Sequence, residues 1–311
     1  MRILITGAGG FVGRRLVEGL LAAGHGPLSL IDVRLTGVPG QAGVARHEGD
    51  LADAALRARA LAGGVDAVVH LATVPGGAAE ADYDASRRIN LDASLNLIEE
   101  AAHLEPGVRI VFASSIAVFG DPLPSHVDDA TPLAPAMTYG AHKLMTEIAL
   151  ADLSRRKMVD AVSVRLPGIL ARPKGRSGMK SAFMSNLFHA LKAGEAFTCP
   201  VALEGTIWAM SLARIAENLI HALTLDSTLL PAGRAVTLPA LHVSMGDLAR
   251  EIASQTGVDA GALVSVDRDT ALEAAFAHQP PLATPAAERA GFRHDGDLAA
   301  LVRSALSTLE G

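Results

Sequence analysis

The stretch Thr6-Gly7-Ala8-Gly9-Gly10-Phe11-Val12-Gly13 decides the fold. It joins an apolar run over residues 2–6, read as a buried strand, to residues 14–23, read as a helix closed by Gly24. Gly7, Gly10 and Gly13 give the spacing GxxGxxG. The first glycine of such a turn permits a tight bend. The second lets backbone approach a pyrophosphate, and the third lets the helix pack on the strand. The helix start adds free N–H groups and partial positive charge. Gly7, Gly10, Phe11 and Val12 are therefore the expected phosphate contacts of a dinucleotide.

The pattern continues outward. Residues 28–31, 44–47, 67–71, 109–113 and 161–166 read as further strands, with helices over 50–61, 85–102 and 138–155 between them. Strands alternating with helices predict an α/β fold: a Rossmann-type, doubly wound parallel sheet covered on both faces. After residue 166 the rhythm changes. Residues 167–178 read as a loop, and 181–193, 211–223 and 297–309 as helices. Ser244 is the expected N-cap of another helix, and 235–238 one more strand. The predicted organisation is a NAD-binding domain over 1–166 and a smaller, mostly helical substrate region over 167–311. Part of 205–240 is expected to pack back onto the first domain.

The 311 residues suffice for one large domain or two, and the formal charge is −6. That charge argues against nucleic-acid binding, and 8 Phe, 1 Trp and 2 Tyr leave little for base stacking. A single cysteine, Cys199, excludes an internal disulfide framework, and the histidines show no metal-ligand spacing. No secretory leader and no membrane span are visible, so a cytoplasmic protein without metal is expected.

Asp32 follows the second strand. An acid there accepts hydrogen bonds from the adenosine ribose and repels a ribose phosphate, which favours NAD over NADP. Asp50-Leu51 follows the third strand, where an acid commonly meets the adenine amine.

His70-Leu71-Ala72, Asn90, Ser114-Ser115 and Tyr139-Gly140-Ala141-His142-Lys143 then follow in order. With the glycine turn, this set resembles the extended short-chain dehydrogenase/reductase family over nearly the whole chain. The resemblance implies an NAD-dependent oxidoreductase whose catalytic residues are Ser115, Tyr139 and Lys143. It implies further cofactor contacts from Leu71, Ala72, Asn90, Ser114, Tyr139, Lys143 and Pro167. The chemistry suits those residue types. Tyr139 and Lys143 share one helical face. A nearby ammonium and the charge of oxidised nicotinamide would lower the phenol's pKa. Tyr139 would then take a hydroxyl proton as hydride leaves the same carbon, with Ser115 fixing the reacting oxygen. Other conspicuous residues have plainer readings. His70 is structural, His142 a surface residue, Asn90 a brace for backbone near the site, and Trp208 core or pocket lining.

Nucleotide-sugar enzymes of the family carry an arginine just before the helix that starts here near Ser211. This chain reads Gly205-Thr206-Ile207-Trp208-Ala209-Met210, without a cation. The stretches 139–156, 165–176 and 197–201 instead resemble the erythronate dehydrogenases, a branch that oxidises carbon 2 of a four-carbon sugar acid. A guanidinium can hold such an acid's carboxylate bidentately. Arg172 is the first candidate and Arg176 the second. Thr73, Ser115, Tyr139 and Ser181 are expected to bond hydroxyls. His189 stands where that branch tends to carry an arginine. Alternative readings are a uronate-type dehydrogenase and a nucleotide-sugar epimerase or dehydratase with tightly bound NAD. A nucleotide-sensing regulator is a further alternative, but such proteins usually lack the Tyr/Lys pair. The family often dimerises through the helices holding Asn90 and Tyr139. Leu144, Ile148, Ala149 and Ala151 are compatible with a homodimer and equally with packing on the sheet.

Overall fold

The computed structural model describes residues 1–174 and 180–309. Its main sheet has seven strands, all parallel. In chain order they are β1 (Ile3–Thr6), β2 (Leu28–Asp32), β3 (Val44–Glu48), β4 (Ala67–His70), β5 (Val108–Ser115), β6 (Val159–Leu166) and the strand Ala235–Thr237. The spatial order runs Ala235–Thr237, β6, β5, β4, β1, β2, β3. The chain therefore winds outward from β1 through β2 and β3, then returns to the other side of β1 with β4. That reversal is the topological switch point, where open α/β sheets bind ligands.

Side chains alternate across the strands. Ile3, Ile5, Val69, Val111 and Val162 join one buried cluster with Leu16, Leu20, Ile215 and Leu219. Leu4, Val68, Ile110, Phe112 and Ala161 join a second cluster on the opposite face with Leu56, Leu97 and Ile98. Burial on both faces explains why the strands read as continuous apolar runs. The register sets the functional ends side by side: Thr6 pairs with His70, and Ser115, three residues beyond the Phe112 that pairs with His70, pairs with Leu166. The peptides that follow, at Gly7, Leu71, Ile116 and Pro167, thus lie along one edge.

The helix Leu212–Thr224 and the strand Ala235–Thr237 pack back onto the sheet, the helix against α1 (Phe11–Ala22). A separate core holds Leu187, Phe188, Ile207, Leu248, Ile252 and Leu301. It sits under a three-stranded sheet, with Thr206–Met210 antiparallel to Leu241–Ser244 and parallel to Gly168–Ile169. Strands of two to five residues carry no usable periodicity, and sequence reading missed them. Ser244 caps the helix Met245–Thr256 by accepting the Asp247 N–H at 3.0 Å. The predicted helix over 85–102 is interrupted: Arg87–Ala93 forms wider π turns before Ser94–Leu104 resumes the α-helix. Among the described residues, no helix is long and apolar enough to cross a membrane.

Candidate active site

The glycine turn is close-packed against the switch point. Gly7 has φ +70°, and a Cβ there would meet the Ala72 nitrogen at 2.7 Å. At Gly13 a Cβ would meet the Gly7 carbonyl oxygen at 2.1 Å, so no larger residue fits. Gly9 was not singled out in the sequence, yet a Cβ there would lie 1.9 Å from the Arg34 carbonyl oxygen. The Gly9 N–H donates to Asp32 Oδ2 at 2.9 Å, which ties the turn to the end of β2. Gly10 is different. It is exposed, and a Cβ would meet only the Gly7 oxygen, at 3.2 Å. No side chain caps the helix at Gly10. An open helix start beside an acid at the tip of β2 fits a dinucleotide with a free ribose.

The other expected cofactor contacts are mixed. Leu71 and Ala72 line the turn, and the Ala72 N–H donates to Thr6 Oγ1 at 3.3 Å. Asp50 accepts the Ala52 N–H at 2.8 Å and pairs with Arg88 at 2.7 Å. The Leu51 side chain is core, 5% exposed among Leu4, Ile31 and Leu56, which leaves its backbone as the part that could meet a ligand. Pro167 is buried just past β6. Ser114 needs correction. Its side chain is buried and donates to Glu147 Oε1 in the helix Thr138–Arg155, away from Ser115. Neighbouring strand residues face opposite sides of the sheet, and only one serine of the pair can point into the site.

Ser115 is the one that does. Its Oγ accepts the Ala117 N–H at 3.1 Å and lies near enough to Tyr139 to lower the pKa of its phenol. Gly140 makes that meeting possible, since a Cβ there would lie 2.0 Å from the Ala117 oxygen. A glycine in the first turn of the helix Thr138–Arg155 marks the position but does not name its partner. Thr73 Oγ1 donates to Asn90 Oδ1 at 3.1 Å and also acts on the Tyr139 phenol. Asn90 lies in the π turns and braces the backbone before the site. It accepts the Val74 N–H at 2.6 Å and donates to the Val74 carbonyl at 2.9 Å.

The charges depart from expectation. Burial pushes the Tyr139 phenol above its ordinary value. Ser115, the positive charge of Arg172 and Thr73 act to lower it. The charge of Arg172 thus acts on the phenol in addition to Lys143, whose Nζ lies 5.6 Å from the centre of the Tyr139 ring. Lys143 is buried and donates to the Ala113 carbonyl at 2.8 Å, with Nζ 4.7 Å from the centre of the Phe112 ring. Burial brings its ammonium down to about 7, while the Glu147 carboxylate acts to raise it. Glu147 is itself gripped by Arg165 at 2.8 Å, with side-chain exposures of 4% and 11%. Sequence reading missed this pair, although the spacing Lys143 to Glu147 puts the carboxylate one helical turn behind the lysine.

His142 is corrected as well. It is buried, not on the surface, and its Nδ1 shares a hydrogen bond with Ser86 at 3.0 Å. The helix holding Tyr139 packs against the element before Asn90, and that covers the imidazole. His70 is fully buried between Thr6 and Ser94, at 2.6 and 2.8 Å. Trp208 is buried, its Nε1 donating to the Pro280 carbonyl at 2.6 Å.

Arg172 has its guanidinium 5.7 Å from the centre of the Phe11 ring, and its charge acts on Tyr139. Ser181 is half-buried in a short turn before the helix Phe183–Ala193. Arg176 lies outside the described residues.

A switch-point glycine turn beside a Ser/Tyr/Lys cluster defines an NAD-dependent oxidoreductase of the extended short-chain dehydrogenase/reductase type. The chain belongs to the NAD dependent epimerase/dehydratase family, whose sequence pattern matches residues 3–209. It is 35% identical to a D-erythronate dehydrogenase of Cupriavidus necator, over 98% of this chain and 97% of that one. It is 34% identical to a D-erythronate dehydrogenase of Haemophilus influenzae, over 83% of each. A solved structure described as the nucleoside-diphosphate-sugar epimerase from Agrobacterium tumefaciens superposes with a TM-score of 0.89 at 29% identity. It covers 97% of this chain and 92% of its own.

Proposed function

We propose that the protein is a dehydrogenase of a small sugar acid and oxidises the C2 hydroxyl of a four-carbon acid such as D-erythronate. The placement of Arg172 carries this reading: one guanidinium beside the Tyr139 phenol and the cofactor turn. A carboxylate held there sets the adjacent C2 hydroxyl within reach of Ser115 and Tyr139, as a short acid requires. The two D-erythronate dehydrogenases among its relatives support the same substrate class.

NAD, when bound, supplies the acceptor for the hydride from C2. Tyr139 takes the hydroxyl proton as that C–H bond breaks, and the carbon is left as a ketone. Ser115 holds the oxygen, while the charges of Arg172 and Lys143 favour the phenolate. Gly7, Gly10, Phe11 and Val12 would hold the pyrophosphate and Asp32 the adenosine ribose.

Replacing Arg172 by Ala tests the reading. The KM for the acid should rise about 10-fold or more, with KM for NAD nearly unchanged. An unchanged KM for the acid would place the carboxylate elsewhere. A second reading, epimerisation of a nucleotide sugar, draws on the similarity to the Agrobacterium structure. Against it, residues 205–210 present no cation, and Trp208 is buried against Phe119 at 6.1 Å. A homodimer belongs to the same proposal. Ile148 and Met145 are 63% and 48% exposed on the helix that carries Tyr139, and a monomeric sedimentation profile would refute it.

A further inference from the structure

Arg172 does not hang from a loose loop. Leu170 and Ala171 before it are fully buried, and the Leu170 N–H donates to the Met210 carbonyl at 3.3 Å. Ala171 has φ +54°, in the left-handed region that residues with a Cβ adopt at a cost. Strain of this kind persists only where its surroundings hold it. Here the holders are two side chains one turn apart on the helix Phe183–Ala193. The Arg172 N–H donates to Ser185 Oγ at 3.1 Å. His189 Nε2 donates to the Arg172 carbonyl at 2.7 Å. Both ends of one residue's backbone are thus fixed by one helical face. The guanidinium folds back, with Nε 3.3 Å from the Ile169 carbonyl, towards Phe11 and Tyr139.

We infer that Ser185 and His189 are positioning residues for Arg172: they hold the reversed peptide at 171–172 so that the guanidinium meets the substrate carboxylate already in place. This rests on Arg172 binding that carboxylate. An arginine loses rotamer and backbone freedom when it clamps a ligand, and a backbone already held loses less. The imidazole at 189 is spent on a main-chain carbonyl. It serves the anion through Arg172, not by direct contact.

The test is a pair of double-mutant cycles read as steady-state kinetics. His189→Leu and Ser185→Ala should each raise KM for the acid about 5-fold, with KM for NAD unchanged as the sign of an intact fold. His189→Gln, which keeps an N–H of similar reach, should restore most of the loss. In an Arg172→Ala background, His189→Leu and Ser185→Ala should each add nothing. Additive losses would overturn the inference, because they would mean independent contact with substrate. An unchanged acid KM in both His189→Leu and Ser185→Ala, with a raised one in Arg172→Ala, would also overturn it while leaving the carboxylate reading standing. An unchanged acid KM in Arg172→Ala would overturn both.

Discussion

His142 Nδ1 lies 3.0 Å from Ser86 Oγ, and this bond joins the helix of Tyr139 to the short helix Tyr83–Ser86 that leads into the π turns of Asn90. Asn90 Nδ2 donates to the same Ser86 oxygen at 3.2 Å, which leaves the serine hydrogen for the imidazole. Burial and then the charge of Arg87 hold His142 below its ordinary value, so Nδ1 stays an acceptor. The line runs on through Asn90 and Thr73 to the Tyr139 hydroxyl. His142→Leu should therefore lower kcat about 5-fold, the worth of one hydrogen bond near 1 kcal/mol, with little change in KM for NAD. His142→Asn, which keeps an acceptor at that place, should recover most of it. Equal rates in the Leu and Asn variants would deny the line.

Removing only the phenolic oxygen is the sharper probe of the chemistry. Tyr139→Phe should reduce turnover about 100-fold or more while NAD binding, followed by fluorescence, stays near that of the parent. Turnover close to normal would mean that another group takes the proton.

Asp32 already receives the Gly9 and Arg34 N–H groups, at 2.9 and 3.2 Å. Its carboxylate has lone pairs left for a ribose and a charge that repels a ribose phosphate. Asp32→Ala should weaken NAD use by about 10-fold or more, since a hydrogen bond to a charged group is worth about 1.5–3 kcal/mol. Equal kcat/KM for NAD and NADP in the parent protein would contradict the assignment.

The buried His70 makes stability depend on pH. Burial, helped by the charge of Lys143, lowers it from 6.5 to about 3. Between those values the unfolded chain binds a proton that the folded one refuses, so stability falls as pH drops through the window. At full expression the loss is about 5 kcal/mol at the acid end. Urea midpoints measured from pH 7 downward should decline steeply, and His70→Asn should start lower but decline less. Parallel slopes in the two proteins would show that His70 carries none of the loss.

The main sheet was legible because its strands are buried on both faces and its glycine turn carries steric information residue by residue. Gly7 and Gly13 could be assigned from spacing alone. Gly9 and Gly140 could not, because their partners, the carbonyls of Arg34 and Ala117, are distant in sequence or hidden by a turn. Spacing likewise paired Tyr139 with Lys143, but it could not show that Lys143 is desolvated, or that the charge of Arg172 also acts on the phenol. His142 looked solvent-facing on a helical wheel. Its burial depends on packing against Ser86 and Tyr83, a tertiary fact. The three-stranded sheet escaped for the same reason, its strands being too short to show a period.

The most direct measurement follows NADH absorbance when the purified protein and NAD meet a panel of short aldonic acids, uronic acids and a UDP-sugar. Steady NADH accumulation with a four-carbon 2-hydroxy acid such as D-erythronate, and none with the UDP-sugar, is the predicted result. Conversion of the UDP-sugar without net NADH, and silence across every short aldonic acid, would contradict it.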